Sequence, residues 1–117
     1  MSAKTNAEAF AILANFSRDV ARLYGAELKG VFLFGSRARG DQTPDSDADV
    51  AIILAGESVD FWREKTKIGD IAYEYLLETG LYIQDFPFAE GEWTNPPKDR
   101  DLILAAKEDA VDLLVQA

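Results

Sequence analysis

The chain contains neither cysteine nor histidine. The first absence rules out disulfides, thiolate metal sites and thiol nucleophiles, and it fits a reducing cytoplasm. The second removes Ser-His-Asp triads, imidazole metal ligands and the usual general base. Catalysis would have to rest on carboxylates, hydroxyls, lysine, arginine, backbone donors or a bound metal. Basic residues are also scarce, with 12 Lys and Arg against 21 Asp and Glu and a net charge of −9. Nonspecific nucleic-acid binding depends on neutralising phosphates, so no direct nucleic-acid contact is expected. A basic partner protein or an acid-lined metal site suits the charge better. Long apolar runs are missing too. A stretch such as Val50 to Ala55 is far too short to span a bilayer, and no basic segment followed by an apolar one marks a signal peptide. The expectation is a soluble, cytoplasmic protein. With 117 residues, 48% of them apolar, residues 1–117 read as one domain whose core needs no disulfide or structural metal.

Hydropathy patterning divides the chain into alternating elements. Thr5-Asn6-Ala7-Glu8 has capping-box spacing, and Phe10, Leu13, Phe16, Val20 and Leu23 follow as a helical stripe that Gly25 ends. Leu28 to Phe34 reads as a buried strand that stops at Gly35-Ser36. Residues 37–46 are polar and rich in Gly, Pro and Asp, a loop with room for one helical turn. A second strand covers Asp47 to Leu54. Ser58 or Asp60 caps a helix carrying Phe61, Ile68, Ala72, Tyr75 and Leu76 on one face, and Gly80 terminates it. Leu81 to Phe88 is a third strand, with Pro87 placing it at an edge or an end. Glu90 to Trp93 is a candidate for a further short strand. After Asn95-Pro96-Pro97, a final helix is expected from about Asp99 to Val115, with Leu102, Ala106, Ala110 and Leu113 on one side. The order α-β-β-α-β-α predicts an α/β (α+β) fold, a small mixed sheet with helices packed on one face.

Two short segments carry chemistry. Gly35-Ser36 at the end of a buried strand, opening into a helical turn, offers backbone N–H groups and a hydroxyl to a phosphate. Glycine lets the ligand approach the backbone closely. Arg37 and Arg39 could neutralise a triphosphate, or could equally be surface partners of Asp41 and Asp45. Asp47 and Asp49 stand at i and i+2 of a strand, so both carboxylates point to one side. Two adjacent carboxylates repel unless a cation lies between them, and hard oxygens of this kind suit Mg²⁺. The aromatics Phe61, Trp62, Tyr73 and Tyr75 read as core. Trp93 reads as packing on the sheet or belonging to a partner interface, and Arg63, Glu64, Lys65 and Lys67 as a solvated helix face.

Gly35-Ser36, ten intervening residues and Asp47-x-Asp49 resemble the motif of the DNA polymerase β-type nucleotidyltransferases. The fuller pattern, Gly35-Ser36-Arg37-Ala38-Arg39-Gly40 with Ser46-Asp47-Ala48-Asp49, is similar to the minimal nucleotidyltransferases (MNT). Members of that family occur as the antitoxin half of HEPN/MNT toxin–antitoxin pairs. The resemblance implies ATP as donor, two Mg²⁺ ions, and transfer of AMP to a hydroxyl of a partner HEPN toxin. It implies that Gly35, Ser36 and Arg39 hold the nucleotide while Asp47 and Asp49 bind metal. The superfamily usually adds a third carboxylate on a later strand. Asp85 is the natural candidate here, as a third catalytic and metal-binding residue, with Glu90 or Glu92 as substitutes. Two alternatives stand beside this reading: an antitoxin that masks its toxin by contact alone, and an antibiotic-type small-molecule nucleotidyltransferase working with a partner subunit. The sequence leaves the oligomeric state open.

Overall fold

Thr5 accepts a hydrogen bond from the Glu8 N–H (3.1 Å) while the Glu8 carboxylate takes the Thr5 N–H (3.0 Å). This capping box starts α1, Asn6–Tyr24, in the computed structural model, which describes residues 4–116. Gly25 ends the helix, and a 3-10 turn, Gly25–Glu27, leads into β1, Leu28–Phe34. There follow α2 (Ser36–Arg39), β2 (Ala48–Leu54), α3 (Phe61–Thr79, capped by Asp60 and closed by Gly80) and β3 (Ile83–Ala89). The chain continues through α4 (Glu90–Thr94), α5 (Asp101–Asp109), the two-residue β4 (Val111–Asp112) and α6 (Leu113–Gln116). The sheet order is β3-β2-β1-β4. β1 is antiparallel to both β2 and β4, and β3 is parallel to β2. The expected α/β architecture with a mixed sheet is the observed one, and Pro87 indeed sits on an edge strand, where a missing N–H is tolerated.

Side-chain alternation sorts the sheet into two faces. Val31 and Leu33 of β1, Ala48, Val50, Ile52 and Leu54 of β2, and Ile83 of β3 pack against Leu13, Phe16 and Val20 of α1 and Ile68 and Ala72 of α3. The opposite face carries Phe32, Phe34, Ala51, Ile53, Phe86 and Phe88, covered by Ile103 and Ala106 of α5 and by Trp93 of α4. Trp93 stacks on Phe32 with ring centroids 5.2 Å apart. The two long helices share one face, but α4 and α5 cover part of the other, so helices lie on both faces where one was expected.

Three expectations need correction. The segment Glu90 to Trp93 is helical, and the fourth strand comes from Val111–Asp112 instead. The single final helix is broken in three. Ile103 and Ala106 belong to one face of the sheet and Leu113 to the other, so the chain must cross the sheet edge between them. It does so by pairing Val111 and Asp112 with Leu33 and Phe32, which also covers the open edge of β1. Leu102 is therefore exposed, and the side chain of Val115 lies outside the described residues. Within α3, Trp62 and Tyr73 are exposed rather than core, while Glu64 is buried and accepts the Tyr24 hydroxyl (2.8 Å). Among the described residues no helix is long and apolar enough to cross a membrane.

The loop between α2 and β2 is fixed from within by Arg37. Its guanidinium is 1% exposed and donates to the carbonyls of Ser46 (2.9 Å), Pro44 (3.1 Å) and Lys4 (3.4 Å) and to Asn6 Oδ1 (3.3 Å). Asn6 in turn donates to the Arg37 carbonyl (3.1 Å). Burial pulls the Arg37 pKa below its ordinary value, and the neighbouring Asp47 pulls the other way. Arg37 is thus neither a surface partner of Asp41 or Asp45 nor placed to meet a ligand. Replacing it by alanine strands several carbonyl acceptors and is expected to cost about 2–4 kcal/mol of unfolding free energy, measured by urea titration. Arg37→Lys should recover little, because an ammonium lacks the planar fork that reaches four acceptors.

Candidate active site

The site forms where β1 and β2 meet at the end of the sheet. β1 hands over to α2 through Gly35, whose φ of +79° favours glycine. The carbonyl of Gly35 accepts from the N–H groups of Ala38 (3.1 Å) and Arg39 (3.0 Å). The N–H groups of Ser36 and Arg37 precede those first bonded donors of the turn, the position from which a helical turn offers donors to an anion. A Cβ on Gly35 would lie 2.5 Å from Asp49 Oδ2. Glycine is favoured by its backbone angle, and any Cβ there would push the Asp49 carboxylate out of its place.

Asp47 directly precedes β2 and Asp49 lies within it, opposite Phe34 on β1 and Gln84 on β3. Alternation puts Asp47, Asp49 and Gln84 on the face that carries Phe34 and Phe86. Gln84 donates its side-chain amide to Asp47 Oδ2 at 3.2 Å. Burial raises the Asp49 pKa, the neighbouring Asp47 charge raises it further, and Arg39 partly offsets both. Ser36, Gly35, Asp47 and Asp49 are thus brought to one place.

Arg39 stands at the rim with both arms engaged, to Asp41 Oδ2 (3.1 Å) and to Asp109 Oδ2 (2.8 Å). Asp109, at the end of α5, carried no signal in the sequence. It reaches Arg39 only because the chain turns back there to form β4.

Asp85 is not part of this group. It pairs in register with Val50 and points to the face packed under α3, on the other side of the sheet from Asp47 and Asp49. There it is 5% exposed, with Lys65 Nζ 3.6 Å from Oδ1, the backbone of Gly69 alongside and no hydrogen-bond partner for Oδ2. Burial pushes its pKa up, and Lys65 opposes the shift. Its apolar flanks signalled burial correctly, but strand parity sends it to the wrong face for a third site carboxylate. Glu90 and Glu92 do not replace it. They follow β3, whose Ala89 pairs with Leu54 at the far end of β2, and Glu92 is held by Arg100 and the Ala89 N–H.

The donor set fits a divalent cation. Two hard carboxylates share one side, and neutralising them relieves both the burial of Asp49 and its repulsion by Asp47. Among the described residues no group of three His, Cys, Asp or Glu side chains converges. An ion held by this pair would keep remaining positions for phosphate and water.

A family model described as nucleotidyltransferase domain matches residues 13–108. A Methanocaldococcus jannaschii protein that carries the name protein adenylyltransferase MJ0141 is 37% identical over 76 residues, 65% of this chain and 75% of that one. Among solved structures, a Sulfolobus solfataricus protein described as a nucleotidyltransferase superposes with a TM-score of 0.65 at 20% identity, covering 92% of this chain and 80% of its own. A toxin–antitoxin bound to AMP-PNP superposes at 0.59 with 17% identity, covering 86% and 71%. A mutant of the toxin–antitoxin MntA-HpeT superposes at 0.56 with 13% identity, covering 86% and 70%. At these identities the structural matches speak for the fold.

The electrostatics make a checkable statement about stability. The folded pKa of Asp49 lies above its unfolded value, so folding favours its protonated form. The stability it lends is fully present below about pH 4, the unfolded carboxylate value, and is lost as pH rises through the folded value. Without divalent ions, Asp49→Asn should therefore melt at a higher temperature than the unsubstituted protein at pH 7. The difference should shrink as pH falls toward 4, as thermal melts at the two pH values would show.

Proposed function

The chain belongs to the nucleotidyltransferase domain family, and on that premise we propose that it is a protein adenylyltransferase, moving AMP from ATP to a hydroxyl of a partner toxin. The observation that carries this reading is the contact of Gly35 with Asp49, which joins a phosphate-facing turn to a carboxylate pair. In the proposed reaction the acceptor oxygen bonds to the α-phosphorus of ATP, the bond to the α,β-bridging oxygen breaks, pyrophosphate departs and the hydroxyl proton passes to water. Asp47 and Asp49 hold Mg²⁺, which when bound polarises the phosphate and offsets charge gathering on it. The Ser36 hydroxyl and the first N–H groups of α2 anchor the terminal phosphates. Arg39, drawn from Asp109, completes their neutralisation.

The partner is read from the toxin–antitoxin neighbours, one of them bound to an ATP analogue, and from the name protein adenylyltransferase of a 37% identical relative. The sequence resemblance refines it to a HEPN-type toxin that offers the acceptor hydroxyl. Residues 1–117 act as one unit, with the partner presenting the acceptor. An antitoxin that masks by contact finds some support in Trp62, Tyr73 and Leu77 of α3, exposed by 72%, 59% and 68%.

Incubation with α-labelled ATP, Mg²⁺ and the partner toxin separates these readings. Label should pass to the toxin, and Asp47→Asn or Asp49→Asn should reduce the rate by about 10²-fold or more. Asp85→Asn should retain most of it. A tight complex that takes up no label would sink the transfer reading in favour of masking.

A further inference from the structure

Position 84 of β3 lies in register with Asp49, on the face shared by both site aspartates. The side chain there is an amide, not an acid. A carboxylate at this point would make a third negative charge beside the Asp47–Asp49 pair. Glutamine adds no charge, and its amide donates to Asp47 Oδ2 at 3.2 Å. That bond does for Asp47 what β-strand geometry does for Asp49. Asp47 precedes the first residue of β2, so its side chain is held less firmly by the ladder and gains most from an external donor. Among the described residues no third acid converges on the pair. Asp85 lies across the sheet under Lys65, Asp109 is bound to Arg39, and Glu90 and Glu92 follow the far end of β3.

We propose that Gln84 is a positioning residue that orients Asp47 for metal binding and sets the protein's own capacity at one divalent ion. Any second ion must then arrive with the nucleotide, held by phosphate oxygens rather than by this chain. The inference rests on the proposed metal-dependent site, but it concerns binding and can be tested apart from transfer. A hydrogen-bonding residue behind a metal ligand typically contributes 10- to 100-fold to affinity. Gln84→Ala removes the donor to Asp47 and leaves both carboxylates. Gln84→Glu keeps the shape, removes the donor and supplies the missing charge.

The test is a Mn²⁺ titration of the full chain without nucleotide, reading free Mn²⁺ by electron paramagnetic resonance, with thermal melts to establish that each variant folds. The expected result is one ion per chain for the unsubstituted protein, about tenfold weaker binding for Gln84→Ala, and a capacity above one for Gln84→Glu. Unsubstituted affinity in Gln84→Ala would overturn the positioning role. Two ions bound by the unsubstituted chain would overturn the capacity. If Asp47→Asn abolishes binding while Gln84→Ala leaves it intact, the metal site stands and the role of Gln84 falls. If the unsubstituted chain binds no Mn²⁺ at all, both fall together.

Discussion

Because successive side chains of a strand point to opposite faces, the central strand β2 has to serve two cores at once. Val50, Ile52 and Leu54 fill the face under α1 and α3, and Ala51 and Ile53 fill the face under α5. Polar side chains have no place along this stretch. They can occur only where β2 begins, at the end of the sheet, and there Asp47 and Asp49 take the face opposite the long helices. Every other feature of the site follows from that constraint. β1 runs antiparallel to β2, so its last residue, Phe34, arrives opposite Asp49 and delivers Gly35 against the carboxylate. β3 runs parallel to β2, so it begins at the same end and sets Gln84 beside them.

The charges around this corner are distributed so that each has a separate anchor. Arg37 is withdrawn into the protein to hold the loop that leads to Asp47, and it contributes a positive charge from behind. Arg39 is held at the rim by two carboxylates, one of them on α5. An arginine paired in the open is held weakly. The two arginines of one six-residue motif thus do different work. One is structural because its guanidinium is enclosed by carbonyls, and the other stays exchangeable because its side chain is about half exposed.

Much of this was legible before any coordinates. The capping box at Thr5, the bounds of β1 and the Gly80 stop of α3 are local signals, and local physics decides them, while the pattern narrows the cap of α3 to Ser58 or Asp60 and the structure shows Asp60. The pairing of Gly35-Ser36 with Asp47 and Asp49 is local as well, because a turn and an i,i+2 spacing are both short-range. What escaped depends on facts that no single segment holds. Tyr82-Ile83-Gln84-Asp85-Phe86 offers two adjacent polar residues, and choosing the one that faces Asp49 requires the register of β3 on β2. The more acidic residue drew the expectation, yet Phe86 and Phe88 share the parity of Gln84 and take it to the site face. The break of the last helix is equally non-local. Residues 101–116 have adequate helical periodicity throughout, and only the position of β1's open edge explains the two-residue strand within them.

The terms that disfavour the site on local grounds all point the same way. Gly35 occupies a backbone region that few residues adopt, and glycine there gives up more conformational entropy on folding than a residue with a side chain. Asp49 is half-buried beside a like charge, with its pKa raised by both. A sequence selected for stability alone would place asparagine at 49, which keeps the shape and removes the charge. The two costs at Asp49, burial and the like charge of Asp47, are relieved together once positive charge enters between the carboxylates. A carboxylate that is locally costly in two respects, and relieved in both by the same cation, is the pattern expected of a site kept for chemistry rather than for folding.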